Sequence, residues 1–161
     1  MTEHHQPVLL QDCLSLLDLQ TNDIFVDCTI GYAGHSKPCY EIIKDDGILI
    51  GIDQDQTAFS HCKTVFENNN NVKLFNDNYS NLYSCLESLS IPHATKILLD
   101  LGMSSVQLDS DKRGFTFKYD APLDMRMNQT AELTAYDILH TYSEQELSDM
   151  FFYKGELRQN R

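Results

Sequence analysis

Basic side chains are scarce in this 161-residue chain: 12 lysines and arginines stand against 24 aspartates and glutamates, a formal charge of -12. Such a balance opposes contact with a polyanion unless the few bases are gathered on one face. They are not gathered in sequence. Between Asp109 and Arg126, the acids Asp109, Asp111, Asp120 and Asp124 are matched by the bases Lys112, Arg113, Lys118 and Arg126. Paired cysteines are missing as well. Cys13, Cys28, Cys39, Cys62 and Cys85 are odd in number and form no C-x-x-C pair, which reads as buried, reduced thiols rather than a disulfide framework or a metal centre. No basic, apolar leader precedes Pro7, and no apolar run approaches the roughly 20 residues of a membrane span. The expectation is a cytoplasmic protein without membrane contact. No internal repeat is visible.

What is present is an alternation of short apolar runs with amphipathic segments. With 42% hydrophobic residues the chain can bury one sizeable core, and one domain is expected. Val8 to Leu19 carries Leu9, Cys13, Leu16 and Leu17 at helical spacing. Ile24-Phe25-Val26-Asp27 reads as a strand ending on a carboxylate, followed by the glycine turn Gly31-Tyr32-Ala33-Gly34. A helix is predicted from near Ser36 to before Gly47, with Pro38 tolerated in its first turn because a missing N–H costs little there. Ile48 to Asp53 repeats the pattern of an apolar run closed by an acid, and Asp55 caps a helix whose Ala58, Phe59, Cys62, Val65 and Phe66 share a face. Val72 to Phe75 is a third strand, Leu82, Leu86 and Leu89 mark a third helix, and Lys96 to Asp100 is a fourth strand, again closed by an acid. Buried strands alternating with helices predict a parallel α/β sheet wound by right-handed crossovers. From Leu101 to Thr130 the pattern gives way to a long loop, of a length that usually serves a site. Helices are predicted near Ala135 to His140 and Ser143 to Phe152.

In an open parallel sheet, ligands bind outside the carboxyl ends of the strands. Asp27, Asp53 and Asp100 all fall there. A dinucleotide site wants G-x-G-x-x-G to cradle a pyrophosphate, and this turn lacks it. Asp53 lies close to the roughly 20-residue spacing from the first turn at which an acid meets ribose hydroxyls. Any one of these acids is also compatible with an ordinary surface position after a strand.

Five stretches carry a specific resemblance: His5 to Leu10, Asp27 to Ser36, Asp100 to Asp109, Arg113 to Phe117, and Pro122 to Met127. In this order they resemble the bacterial 16S ribosomal-RNA cytosine-N4 methyltransferases, the ribosomal small subunit methyltransferase H family. The resemblance implies a Rossmann-like α/β sheet with S-adenosylmethionine as cofactor. It places the cofactor on Ala33, Gly34 and His35 in the turn, Asp53 at the ribose, Tyr79 beside the adenine, Asp100, and Gln107, with no metal. Ala33 stands where the family commonly has glycine, and Tyr79 where it commonly has phenylalanine. The tyrosine keeps an aromatic face; the alanine is harmless only where the backbone does not need positive φ. His35 is equally readable as a helix-capping or packing residue, Arg113 and Arg126 as salt-bridge partners of neighbouring aspartates, and Phe115 and Phe117 as loop anchors rather than base-stacking platforms.

The resemblance further implies N4-methylation of a cytosine in 16S ribosomal RNA of the small ribosomal subunit; Asp100, at the end of the fourth strand and ahead of a glycine-serine loop, is the candidate catalytic carboxylate for orienting the exocyclic amine or the cofactor beside it. Around Tyr153-Lys154-Gly155-Glu156 family members continue into a helical insertion and further strands. Residues 1–161 therefore read as the N-terminal, cofactor-binding part of a methyltransferase domain, cut after the fourth strand and its following helices. Such a chain is expected to be inactive alone and either to self-associate as a homodimer or to need a separately encoded C-terminal half. A catalytically dead cofactor-binding or protein-interaction remnant is the alternative. A nicotinamide-dependent oxidoreductase is disfavoured by the turn.

Overall fold

A computed structural model describes residues 7–44 and 46–157. His5 and Gln6, at the start of the first resembling stretch, and Arg158 to Arg161 lie outside the described residues. The chain forms two compact units, residues 1–104 and 105–161.

The first unit is a parallel sheet of four strands: β1 (Ile24–Asp27), β2 (Ile48–Ile52), β3 (Val72–Phe75) and β4 (Lys96–Leu98), in the order β3-β2-β1-β4. Phe25 lies opposite Leu49 and Lys96, and Leu49 opposite Val72, so β1 is flanked by β2 on one side and β4 on the other. The connections reverse direction there, which makes the carboxyl end of β1 the switch point of the sheet. Helix α1 (Leu10–Leu17) leads into β1, and α2 (Ser36–Ile43), α3 (Gln56–Val65) and α4 (Leu82–Ser88) connect the strands, with a 3-10 turn at Tyr79–Asn81.

Alternation along the strands sends side chains to two cores. Phe25 and Leu49 join Cys39, Tyr40 and Ile43 of α2, Cys62 of α3 and Phe66, with Leu14 and Leu17 of α1 packed against them. Val26, Ile50 and Ile52 join Cys85 and Leu86 of α4 on the other face. Both faces are covered, so β1 and β2 read in sequence as unbroken apolar runs rather than as alternating ones. Each large side chain buried completely here contributes about 1.5–3 kcal/mol.

Local chemistry sets the helix limits. Ser36, Cys39, Tyr40 and Ile43 of α2 are buried at helical spacing, Pro38 sits in its first turn, and the Gly47 N–H closes on the Ile43 carbonyl at 2.7 Å. The Asp55 side chain caps α3 by accepting from the Thr57 N–H. Gly51 in β2 leaves room for Ile30 of the following turn, whose side chain a Cβ there would strike.

The second unit holds α5 (Ser105–Leu108), α6 (Ala135–Thr141) and α7 (Glu144–Tyr153). Capping boxes start both α6 (Thr134 with Asp137) and α7 (Ser143 with Glu146). The stretch read as an unbroken loop from Leu101 thus contains one helical turn, α5, too short to register as a period. Among the described residues no helix is long and apolar enough to cross a membrane.

Candidate functional site

The acids predicted at the strand ends do three different things. Asp27, the last residue of β1, is only 2% exposed. Its carboxylate accepts from the Ser36 hydroxyl at 2.6 Å and from the Thr29 N–H at 3.1 Å. Asp27 therefore faces inward and ties the β1 end to the start of α2, instead of facing a ligand as its strand-end position suggested. Burial raises its pKa above the ordinary value, and the Ser36 and Thr29 hydrogen bonds offset only part of that cost.

Asp53 follows β2 directly. Its Oδ2 accepts from the Gly31 N–H at 2.9 Å and its Oδ1 from the Asp55 N–H at 2.8 Å. Burial raises this carboxyl as well, against the two N–H bonds that favour its ionised form. Asp100 lies two residues past β4 and is exposed. Its N–H donates to Thr29 Oγ1 at 2.8 Å, and its Oδ2 is 3.7 Å from His35 Nδ1.

The turn between β1 and α2 is left-handed at two positions, Gly31 at φ 51° and Ala33 at φ 64°. Alanine thus occupies a conformation suited to glycine. Its methyl is buried, 3% exposed, in the core beneath the turn. Two further contacts brace the turn: the Cys62 thiol donates to the Gly31 carbonyl at 3.1 Å, and the Tyr32 ring lies 5.1 Å from that of His61. Burial pushes the thiols of Cys39 and Cys62 up to about 12 and that of Cys28 to about 11, so they are unreactive packing groups at neutral pH.

Tyr79 opens the 3-10 turn after β3, where Asn78 caps by accepting from the Ser80 N–H, and its ring is exposed. The Asp77 N–H donates to the Asp53 carbonyl and links the ends of β3 and β2. Along the carboxyl edge of the sheet the order is therefore Tyr79, Asp53, the Gly31–Gly34 turn, then Asp100. Adjacent strands are about 4.8 Å apart, so the row extends over roughly 14 Å. Among the described residues no group of three or more histidine, cysteine or acidic side chains converges as a metal site. A surface cavity of about 250 Å³ lined by Tyr83, Leu86, Glu87, Ser90, Ile91 and Pro92 belongs to α4 and its exit, and none of the strand-end residues lines it.

Gln107 is buried on α5 of the second unit. There the two arginines, both read as salt-bridge partners of aspartates, differ. Arg126 pairs with Asp124 through Nε at 2.9 Å and Nη2 at 2.7 Å, and that hydrogen-bonded guanidinium lowers the Asp124 carboxyl. Arg113 is buried and donates from Nη2 to the carbonyls of Arg126 and Met127, clamping the loop. Gly114, at φ 71°, lies so close to Pro122 and Asp124 that no Cβ fits. Phe115 lies half-buried with the Arg113 guanidinium over its ring, as an anchor would, whereas Phe117 is fully exposed and anchors nothing.

The model of the MraW methylase family matches residues 2–161. The chain belongs to that family. It is 42% identical over 157 residues to the ribosomal RNA small subunit methyltransferase H of Clostridioides difficile, covering 97% of this chain and 50% of that one. Over 155 residues it is 43% identical to the protein of the same name from Mycoplasma mycoides, covering 96% and 50%. The chain spans about half the length of these relatives. The crystal structure of PH0851 aligns at a TM-score of 0.50 and 20% identity, over 62% of this chain and 22% of that one, a likeness of fold alone. The fold of this MraW-family chain is a Rossmann-like methyltransferase sheet.

Sequence reasoning missed Thr29, Ser36 and Cys62 as the residues that shape the family's glycine turn. The signal for Ser36 lay in its place at the helix start. Thr29 and Cys62 act through partners that only the folded sheet brings near.

Proposed function

We propose that this chain is the N-terminal, cofactor-binding part of an S-adenosylmethionine-dependent methyltransferase whose whole length methylates N4 of a cytosine in 16S ribosomal RNA. The observation that carries this reading is the row of Tyr79, Asp53, the left-handed turn and Asp100 along one sheet edge, in a chain whose relatives are named ribosomal RNA small subunit methyltransferase H.

The side chains suit the cofactor's chemistry. Each Asp53 oxygen accepts one backbone N–H and keeps a second lone pair, which matches two vicinal ribose hydroxyls. The exposed Tyr79 ring offers a face to a purine, and the backbone at Ala33, Gly34 and His35 allows close approach to the amino-acid tail. The turn lacks a pyrophosphate cradle, and this cofactor has no phosphate to fill one. Gln107 joins the set on the strength of the Asp100 to Asp109 motif alone.

Bound at this edge, S-adenosylmethionine supplies a methyl group on a positively charged sulfur. Asp100 accepts a hydrogen bond from the exocyclic amine of cytosine, whose lone pair is delocalised into the ring. Alignment is the main contribution of the protein, with Asp100 stabilising the positive charge that would build on the amine before its proton passes to water. The base must leave its stack to be reached.

With a charge of -12, this portion is poorly suited to hold RNA unaided. In this reading the RNA contacts come from the remaining length of a whole family member, from a second copy, or from a separately encoded half, all in the cytoplasm. Calorimetry with S-adenosylmethionine, its demethylated product and NAD, together with tritium-methyl transfer to small ribosomal subunits and light scattering, tests the proposal. Binding of the first two ligands but not NAD, without transfer by the chain alone, is expected. Preference for NAD would overturn the cofactor assignment, and RNA methylation by a monomer of this chain would overturn the division of labour. Cofactor binding with no transfer even by a full-length counterpart would favour a catalytically dead remnant.

A further inference from the structure

His35 stands at the N-terminal boundary of α2, where a side chain commonly caps the helix, yet it makes no capping bond. Its buried ring spans two other groups. Nε2 is 3.0 Å from the Val8 carbonyl, and Nδ1 is 3.7 Å from Asp100 Oδ2. A carbonyl only accepts, so Nε2 carries the hydrogen, and the direction of Nδ1 is thereby fixed.

Asp100 needs such a neighbour. Its backbone is anchored by the hydrogen bond to Thr29, but its side chain is 54% exposed, and a carboxylate so placed ordinarily samples several rotamers. The ring of His35 stands beside Asp100. The ring occupies one side of the Asp100 carboxylate and so restricts the rotamers open to it, while the Val8 carbonyl holds the ring from behind.

We propose that His35 is a positioning residue that fixes the direction in which Asp100 presents its carboxylate at the end of β4. The proposal rests on the reading of Asp100 as the carboxylate beside the cofactor's methyl-bearing end. It adds a role that lies in the ring of His35 and reaches back to the segment before α1.

Two amide variants separate the two contacts. His35→Asn places a side-chain nitrogen near the position of Nδ1 and retains the approach to Asp100. His35→Gln reaches the position of Nε2 and retains Val8. The expected result is that His35→Asn binds S-adenosylmethionine about fivefold more tightly than His35→Gln, the scale of one hydrogen bond, although His35→Gln melts at the higher temperature. In aspartate-labelled protein, the Asp100 carboxyl carbon resonance should move further from wild type in His35→Gln than in His35→Asn. Affinities that merely follow melting temperature, or an Asp100 resonance alike in both variants, would overturn the proposal. If neither variant folds, Asp100→Asn, at an exposed position, decides it in wild-type background: the His35 Nδ1 resonance should shift, and an unmoved resonance rejects the contact. Should wild type bind no S-adenosylmethionine, the cofactor reading fails while the resonances still decide the positioning role.

Discussion

The Asp53 carboxylate accepts the Gly31 N–H at 2.9 Å, across 22 positions of chain, so the residue assigned to the ribose also holds the turn beside it. Asp53→Ala removes the acceptor of two backbone N–H groups at once. A loss of about 1–3 kcal/mol in urea unfolding is expected along with weaker cofactor binding. Asp53→Asn retains one acceptor oxygen and should fall between. An Asp53→Ala chain as stable as wild type would refute the bracing role.

Ala33 offers a balance of terms rather than a simple gain. The left-handed conformation costs a non-glycine residue about 1–2 kcal/mol. Glycine would relieve that, but it loses a buried methyl of about 0.8 kcal/mol and adds about 0.5–1 kcal/mol of unfolded-state freedom. Ala33→Gly should therefore change stability by no more than about 0.8 kcal/mol in either direction, what is left of those opposing contributions. Ala33→Val, β-branched at positive φ and overfilling the core, should cost more than about 2 kcal/mol. Urea melts of the two variants check both signs.

The raised carboxyl of Asp27 predicts the direction of a pH effect. A folded-state pKa above the unfolded one means that the folded chain binds the extra proton, so this contribution is fully present below the ordinary value near 3.8 and is lost as pH rises through the folded value. Asp53 shifts in the same direction and adds to it. Asp27→Asn should flatten the decline in stability above pH 4 measured by thermal unfolding. An unchanged slope would mean that Asp27 is not desolvated in the fold.

Arg113 reaches two carbonyls from one guanidinium. Arg113→Ala should weaken the second unit by about 1.5–3 kcal/mol, the usual worth of hydrogen bonds to a charged donor. Arg113→Lys should rescue little, because an ammonium lacks the planar fork. Limited proteolysis of residues 109–130 reads the effect: both variants are expected to be cut there faster than wild type.

β1 and β2 were legible because both of their faces are buried: Ile24 to Val26 and Ile48 to Ile52 appear as apolar runs with an acid after them, and the structure puts strands there. The capping of α3 by Asp55 was legible for the same local reason. The inward turn of Asp27 was not, because an acid after a strand reads alike whether it meets solvent, ligand or Ser36. The pairings of Asp100 with Thr29 and His35 depend on the register of β1 with β4, which no local pattern encodes. The conformation of Ala33 was posed by the resemblance and answered only by the backbone.

The sheet order also dictates when the site is completed during folding. Ile24 finds Ile48 after a short excursion of chain, whereas it meets Thr95 only 71 positions away. Closing a loop three times as long costs about 1 kcal/mol more in entropy. β1, β2 and β3 can therefore associate early, with Asp53 already against Gly31, while β4 joins late. Asp100 arrives with that last strand, so an incompletely folded chain holds the proposed ribose end of the site without the proposed methyl-facing end.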